Sequence, residues 1–229
     1  MVVLATKLYV KGEARERALD SLRSQVDNTI GELDVESSLG IRDDDFPSVT
    51  ISGPDATAAR NALAEEWGEL TPHREAGGTY VGTLARWDDD GFTLDVGFGE
   101  TVRVPAENLG LGPGDATQIR QRFGLVQHLP LRYTIAEDEE GNEMASLAEV
   151  EQDRLYEWTR GTGRLNVNSA TRAEVRATVN RAGHAQDIVT VERLGLLEQS
   201  VVCKEGTDPP GLLSAVGEYL PAELLCVVP

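Results

Sequence analysis

Apolar positions along this chain change period several times, and each change marks out an element. The run from Val2 to Val10 reads as a first strand, after which Ala14, Ala18, Leu22, Gln25, Val26 and Ile30 recur near helical spacing. Two alternating segments follow, Leu33 to Glu36 and Ser48 to Ser52, around the acidic turn Asp43-Asp44-Asp45, with Pro47 at the boundary. Asp55 stands where it can cap a helix carrying Ala59, Leu63, Ala64 and Trp67, and a closing strand fits near Leu70. This βαββα order over residues 1–76 suits a ferredoxin-like or KH-like α+β unit.

The order returns over residues 161–229. Leu165 to Asn168 reads as a strand, and Ser169 or Thr171 can cap a helix carrying Val175 and Val179 that stops at Gly183. Strands at about Asp187 to Arg193 and Leu197 to Cys203 are joined by Leu194-Gly195-Leu196. A helix from Asp208-Pro209 through Leu212, Leu213 and Val216 leads to a last strand, Leu224 to Val228. The pattern is βαββαβ, a ferredoxin-like unit, although no residue-level repeat links the two ends of the chain.

The middle, residues 79–136, is β-rich. Tyr80 to Trp87 and Phe92 to Gly97 alternate on either side of Asp88-Asp89-Asp90-Gly91, a strong hairpin signal. Val102 to Pro105, Ala116 to Arg122 and Leu131 to Ile135 supply three further strands, and Gly82 permits the coiling a small barrel needs. Residues 137–160 then read as an acidic hinge, Glu137-Asp138-Glu139-Glu140-Gly141-Asn142-Glu143, and a connecting helix from about Leu147 to Thr159 with Leu147, Val150, Leu155 and Trp158 on its buried side. The fold class is therefore α+β: a five-stranded, β-barrel-like module flanked by two ferredoxin-like or KH-like units.

Charge limits what such a chain can bind. Acidic residues number 39 against 21 basic ones, and only Lys7, Lys11 and Lys204 are lysines. That composition resembles proteins of salt-accumulating archaea, in which molar salt screens the repulsion within a few ångströms. A net charge of -18 repels polyanions, so any RNA site must be a local patch of cations. No stretch approaches the roughly 20 apolar residues of a membrane span, and Met1 to Val10 has neither a charged leader nor a cleavage site. The expected setting is cytoplasmic, with no membrane partner.

Gly82, Gly91-Phe92, Asp95-Val96-Gly97, Val104-Pro105 and Gly114-Asp115 together form a pattern that resembles the OB-fold RNA-binding repeat named after the largest small-subunit ribosomal protein. The resemblance covers residues 80–135 and implies an OB-like five-stranded β-barrel, with single-stranded RNA held on the second and third strands by stacking aromatics and flanking cations. Phe92 matches one stacking aromatic by position and Trp87 lies near the other. Arg103 joins them on the candidate face, with Arg86, Arg120, Arg122, Phe123 and Arg132 around it. The family often carries a histidine after the third strand, where Val104-Pro105-Ala106-Glu107 has none.

A second candidate patch comprises Arg160, Arg164, Asn166, Asn168, Arg172 and Arg176, in which Arg172 and Arg176 lie one helical turn apart. Gly161-Thr162-Gly163 lacks the rest of a dinucleotide fingerprint. The loop Gly206 to Gly211, with Lys204 nearby, could hold an anion at a helix start or could simply be a helix start. Cys203 and Cys226 lack zinc or dithiol spacing, and a ferredoxin-like order would put a strand between them, too far for a disulfide. His73, His128 and His184 are scattered. No nucleophile motif, P-loop or paired-acid signature appears, so no catalytic residue, metal or cofactor is assigned and no enzyme is expected.

The segments Leu194 to Glu198, Val201 to Asp208 and Pro210-Gly211-Leu212 also resemble an archaeal family defined by a conserved domain of unknown function. That resemblance implies an archaeal origin and carries no activity. Two readings remain open: an RNA-binding factor in transcription, RNA processing or translation, and a protein-interaction module docking on a larger assembly.

Overall fold

The computed structural model describes residues 1–137 and 143–229, so most of the expected acidic hinge, residues 138–142, lies outside it. The N-terminal domain runs β1 (Val2–Val3), α1 (Gly12–Ile30), β2 (Glu36–Ile41), β3 (Pro47–Ser52) and α2 (Ala56–Trp67). Its antiparallel sheet has the order β1-β3-β2, and Leu4 bridges Glu69 where a closing strand was expected. Helix α1 buries Ala18, Leu22, Val26 and Ile30, the stripe that its spacing dictates.

Three details of this domain differ from expectation. Only Val2 and Val3 of the first apolar run enter a ladder; Ala5 and Leu8 send their amides to the Gly68 and Asp45 carbonyls instead. The second strand is Glu36–Ile41 rather than Leu33 to Glu36, because pairing with β3 from Glu36↔Ser52 to Ile41↔Pro47 fixes its register. Asp55 precedes α2 but gives it no side-chain cap; its carboxylate accepts from the Asp34 amide at 2.9 Å.

The central domain contains β4 (Thr79–Asp88), β5 (Gly91–Asp95), β6 (Thr101–Pro105), α3 (Ala116–Arg122), β7 (Pro130–Glu137), β8 (Glu143–Leu147) and α4 (Glu149–Arg160). Its five strands lie in the order β6-β5-β4-β7-β8. The sheet is open, with β6 and β8 as unpaired edges, and so is not the closed barrel expected. The expected hairpin forms, closing at Asp88↔Gly91. Gly91 has φ +153 and a Cβ there would strike the Val104 carbonyl oxygen, so only glycine fits.

Ala116 to Arg122 is helical rather than a strand. Asp115 and Gln118 form a reciprocal capping box, and Ala116, Ile119 and Arg120 bury one face. The fifth strand is instead Glu143–Leu147, beyond the acidic run. Helix α4 forms as expected with Leu155 and Trp158 buried, but Val150 is 57% exposed, and Leu147 is buried from β8.

The C-terminal domain runs β9 (Arg164–Val167), α5 (Arg172–Arg181), β10 (Ile188–Arg193), β11 (Gln199–Cys203), α6 (Pro209–Gly217) and β12 (Leu224–Val227). Its antiparallel order is β10-β11-β9-β12. Strand β9 thus separates Cys203 from Cys226, and both are free thiols. Thr171, not Ser169, caps α5 in a box with Glu174.

The segment from Ala5 to Val10 reaches both of the other domains. Lys7 forms an ion pair with Asp95 of the central domain. The Thr6 hydroxyl accepts from the buried Leu196 amide at 2.8 Å. Tyr9 donates to Glu198 Oε1 at 2.8 Å and accepts from the Ser169 amide at 2.8 Å, while its ring lies 4.0 Å from that of His128. Leu196 and Leu197 of the C-terminal domain complete the N-terminal core beside Leu4, Leu8 and Trp67.

Glu198 is fully buried, and burial pushes its carboxyl up from 4.5 to about 8. Burial, followed by the charge of Lys7, pushes His128 down from 6.5 to about 4.

Two measurements follow from this joint. Tyr9→Phe leaves the Ser169 amide and Glu198 without the phenol and should cost about 1–3 kcal/mol in denaturant unfolding at high potassium chloride; no loss would mean that the phenol contributes nothing. The folded chain keeps the Glu198 proton between pH 4.5 and 8, where the unfolded chain has released it, so this group's stability contribution is fully present below 4.5 and falls as pH rises. His128 acts in the opposite sense, its contribution being lost as pH falls from 6.5 to 4. Above pH 6.5 only the Glu198 effect remains, at most about 1.4 kcal/mol per pH unit. Glu198→Gln, which still accepts from Tyr9, should flatten the decline between pH 6.5 and 8; an unchanged slope would remove Glu198 as its source.

Candidate nucleic-acid interface

On β4 and β5, Trp87 pairs directly opposite Phe92, so the two side chains share one side of the sheet. That side is the inside. Phe92 is 0% and Phe123 1% exposed, both in the central core; alternation along β5 turns Phe92 and Leu94 inward and Thr93 outward, and Phe123 enters the core from the end of α3. Trp87 is half-buried, and its face is covered by the Arg120 guanidinium at 3.6 Å. Arg120 is itself buried and ion-paired with Glu223. The expected stacking pair is therefore not an open face: Phe92, like the neighbouring candidate Phe123, fills the core, and Trp87 already carries a cation.

The other side of the sheet presents a short polar row, since Arg86 pairs with Thr93 and Thr93 with Arg103. Arg103 donates to Thr93 Oγ1 at 3.1 Å and forms an ion pair with Asp88. Hydrogen bonding from Arg103 holds the Asp88 carboxyl below its ordinary range. Arg122 donates to the Pro113 and Leu111 carbonyls, fastening the loop before α3. Arg132 reaches Glu151 at 3.4 Å. These cations are dispersed and partly committed.

The second patch divides in two. Asn166 and Asn168 are buried and tie the C-terminal sheet to the central domain, donating to the Gly124 carbonyl at 2.9 Å and the Gln127 carbonyl at 3.2 Å. They have no surface to offer a base. Arg160 and Arg176 are exposed and lie outside any recess described. Arg164 and Arg172, by contrast, open onto a groove of about 610 Å³ at the meeting of the domains.

Helix α4 supplies Arg154, Glu157 and Trp158 to that groove, β9 supplies Arg164, α5 supplies Arg172, and β10 supplies Glu192 and Arg193. The Arg154 and Arg164 guanidiniums lie 5.1 Å and 5.4 Å from the Trp158 ring, and Arg193 lies 3.9 Å from the ring of Trp67. These stacks hold the charged forks in place. Arg164 pairs with Glu192, and Arg193 with Glu66 at 2.6 Å; Arg172 has no carboxylate partner among the described residues. Beneath the groove Glu151, fully buried, is held by Arg154 and Arg132.

Arg154 and Arg193 belong to no patch visible in the sequence. Arg154 stands four residues before Trp158 on α4, a one-turn spacing that signals an arginine beside an indole, whereas Arg193 leaves no local signal. At the Gly206 to Gly211 loop Asp208 itself accepts from the Gly211 amide at 3.1 Å, so the helix start is satisfied from within. Among the described residues, no group of three or more His, Cys, Asp or Glu side chains is placed to hold a metal, and no helix is long and apolar enough to cross a membrane.

Family models for the N-terminal, central and C-terminal domains of DUF2110 match residues 1–73, 74–159 and 162–228. No curated protein matches the chain. The chain belongs to the DUF2110 family.

Proposed function

We propose that this DUF2110 chain binds single-stranded RNA, with the phosphate backbone lying along the groove where its central and C-terminal domains meet. The observation that carries this reading is a local reversal of charge. Four arginines and two glutamates line the groove, in a chain whose 39 acidic residues far outnumber its 21 basic ones. Guanidinium forks match phosphate oxygens in pairs, and those stacked on tryptophan lose less freedom on binding. With Phe92 and Phe123 in the core, recognition rests on the backbone rather than on stacked bases.

The central sheet supports a nucleic-acid partner in a second way. In the order β6-β5-β4-β7-β8, with α3 between β6 and β7, we read an OB-like arrangement left open where β6 would meet β8. OB folds are five-stranded, partly open barrels that bind oligonucleotides.

The test is titration of a labelled single-stranded RNA from low to molar potassium chloride. Affinity should fall with salt, and Arg164→Gln with Arg172→Gln should weaken it by about tenfold or more, ~1.4 kcal/mol, and reduce the salt slope by about 0.7 per lost contact. Arg86→Gln with Arg103→Gln should change neither. The opposite pattern would place the site on the outer sheet row. Absence of binding at every salt concentration would overturn the RNA reading and leave docking on a protein assembly as the alternative.

A further inference from the structure

A sheet edge that ends in solvent is a template for another strand, and natural folds blunt such edges with charge, proline, bulges or brevity. The three sheets have six edge strands, and five of them are treated in one of these ways or are covered. β1 has two residues and β12 four. β6 carries Arg103 and Pro105. In β8 the Ala145 carbonyl accepts from the Asn108 side chain at 3.1 Å. The register of β10 against β11 shifts between Ile188 and Thr190.

β2 is the exception. Its six residues, Glu36-Ser37-Ser38-Leu39-Gly40-Ile41, pair with β3 in unbroken register, and its other side meets no strand. It has no proline and no basic residue, and Ser37, Ser38 and Gly40 are exposed. Ladder groups alternate in direction along an antiparallel strand, so half of the β2 amides and carbonyls point away from β3. No other backbone group reaches them among the described residues.

Helix α1 lies beside this edge. A groove of about 200 Å³ separates them, lined by Arg23, Val26 and Asp27 of the helix and by Ser37 and Leu39 of the strand. Leu39 is half-buried, and Arg23 and Asp27 are exposed one helical turn apart. Arg23 reaches Asp20 at 3.0 Å with one arm of its guanidinium, and Asp27 has no cation partner among the described residues. An arginine and an unpaired carboxylate so spaced are self-complementary. Turned about a two-fold axis between them, the arginine of each copy meets the aspartate of the other. The same axis, passing the middle of β2, sets two such strands antiparallel and keeps the two Glu36 carboxylates at opposite ends.

We propose that β2 is a self-association edge, through which two copies of this chain join their three-stranded N-terminal sheets into one continuous antiparallel sheet, with α1 beside α1 across the axis. Main-chain hydrogen bonds extend the ladder, Leu39 loses its remaining exposure, and the two Arg23–Asp27 pairs fix the register. A foreign strand would find the ladder but not the matching charges, which favours a second copy. β2 and α1 contribute nothing to the arginine groove, so this dimer stands apart from the RNA reading.

The test is sedimentation equilibrium of the full chain at the lowest potassium chloride concentration that keeps it folded. Mass should rise with protein concentration toward twice that of one chain. Arg23→Asp should weaken the association by about tenfold, because one change strikes two symmetric pairs, and Asp27→Arg should do the same. The two together, which exchange the charges, should restore it. Hydrogen exchange at low and high protein concentration should show new protection at β2 amides. A chain that stays monomeric at every accessible concentration would overturn the proposal. So would a dimer that neither single change weakens, or one that leaves β2 exchange as it was, since either result puts the interface elsewhere.

Discussion

The Tyr9 phenol donates a hydrogen bond to the carboxyl of Glu198, which water does not reach, and accepts one from the backbone amide of Ser169. Glu198 and Ser169 belong to the C-terminal domain, the ring of His128 against Tyr9 to the central one, and Tyr9 itself to the N-terminal one. Burying an acid is expensive unless it is paired or neutral, and Glu198 meets that cost with a shared proton and a carboxyl pushed up toward neutrality. Its partners come from across the chain, so the arrangement exists only when all three domains are docked. The groove is built from side chains of two of those docked domains, the central and the C-terminal.

A chain this acidic must ration its cations. Many arginines are tied to nearby acids, as with Arg103 and Asp88 or Arg120 and Glu223, and such pairs hold structure rather than recognise a partner. In the groove Arg154, Arg164 and Arg193 lie over indoles and carboxylates occupy only part of their forks, while Arg172 has no carboxylate partner among the described residues. A guanidinium has five donors; a single glutamate leaves most of them available. That surplus, concentrated where the rest of the surface repels anions, is the physical basis for an anionic ligand at this place. The acidity elsewhere would also disfavour weak binding outside the groove.

Much of the secondary structure was legible because it depends on local signals. The α1 stripe, the Asp88 to Gly91 hairpin, the α5 and α6 caps and the βαββαβ order at the C-terminal end follow from periodicity, turn chemistry and capping residues. The failures share one cause. Ala116 to Arg122 carries enough alternation to pass for a strand, but its Asp115–Gln118 capping box and the burial of Ala116, Ile119 and Arg120 on one face make it a helix. Val2 to Val10 reads as one strand from its apolar run alone, yet beyond Leu4 its hydrogen bonds go to loops and to another domain. Pattern reports what a segment can do locally and omits the partner that decides.

The candidate site divides along the same line. By itself the sequence determined the composition of the chain, the scarcity of lysine, the alternation that makes β4 and β5 a hairpin, and the presence of Arg164 and Arg172 as candidate cations. Only the tertiary structure decided that Phe92 and Phe123 face the core, that Asn166 and Asn168 are interdomain ties, and that Arg154 and Arg193, 39 residues apart in the chain, line one groove with Arg164 and Arg172. Alternation fixes which residues share a side of a strand but not which side is covered, and arginines distant in sequence become one site only through the docking of α4, β9, α5 and β10.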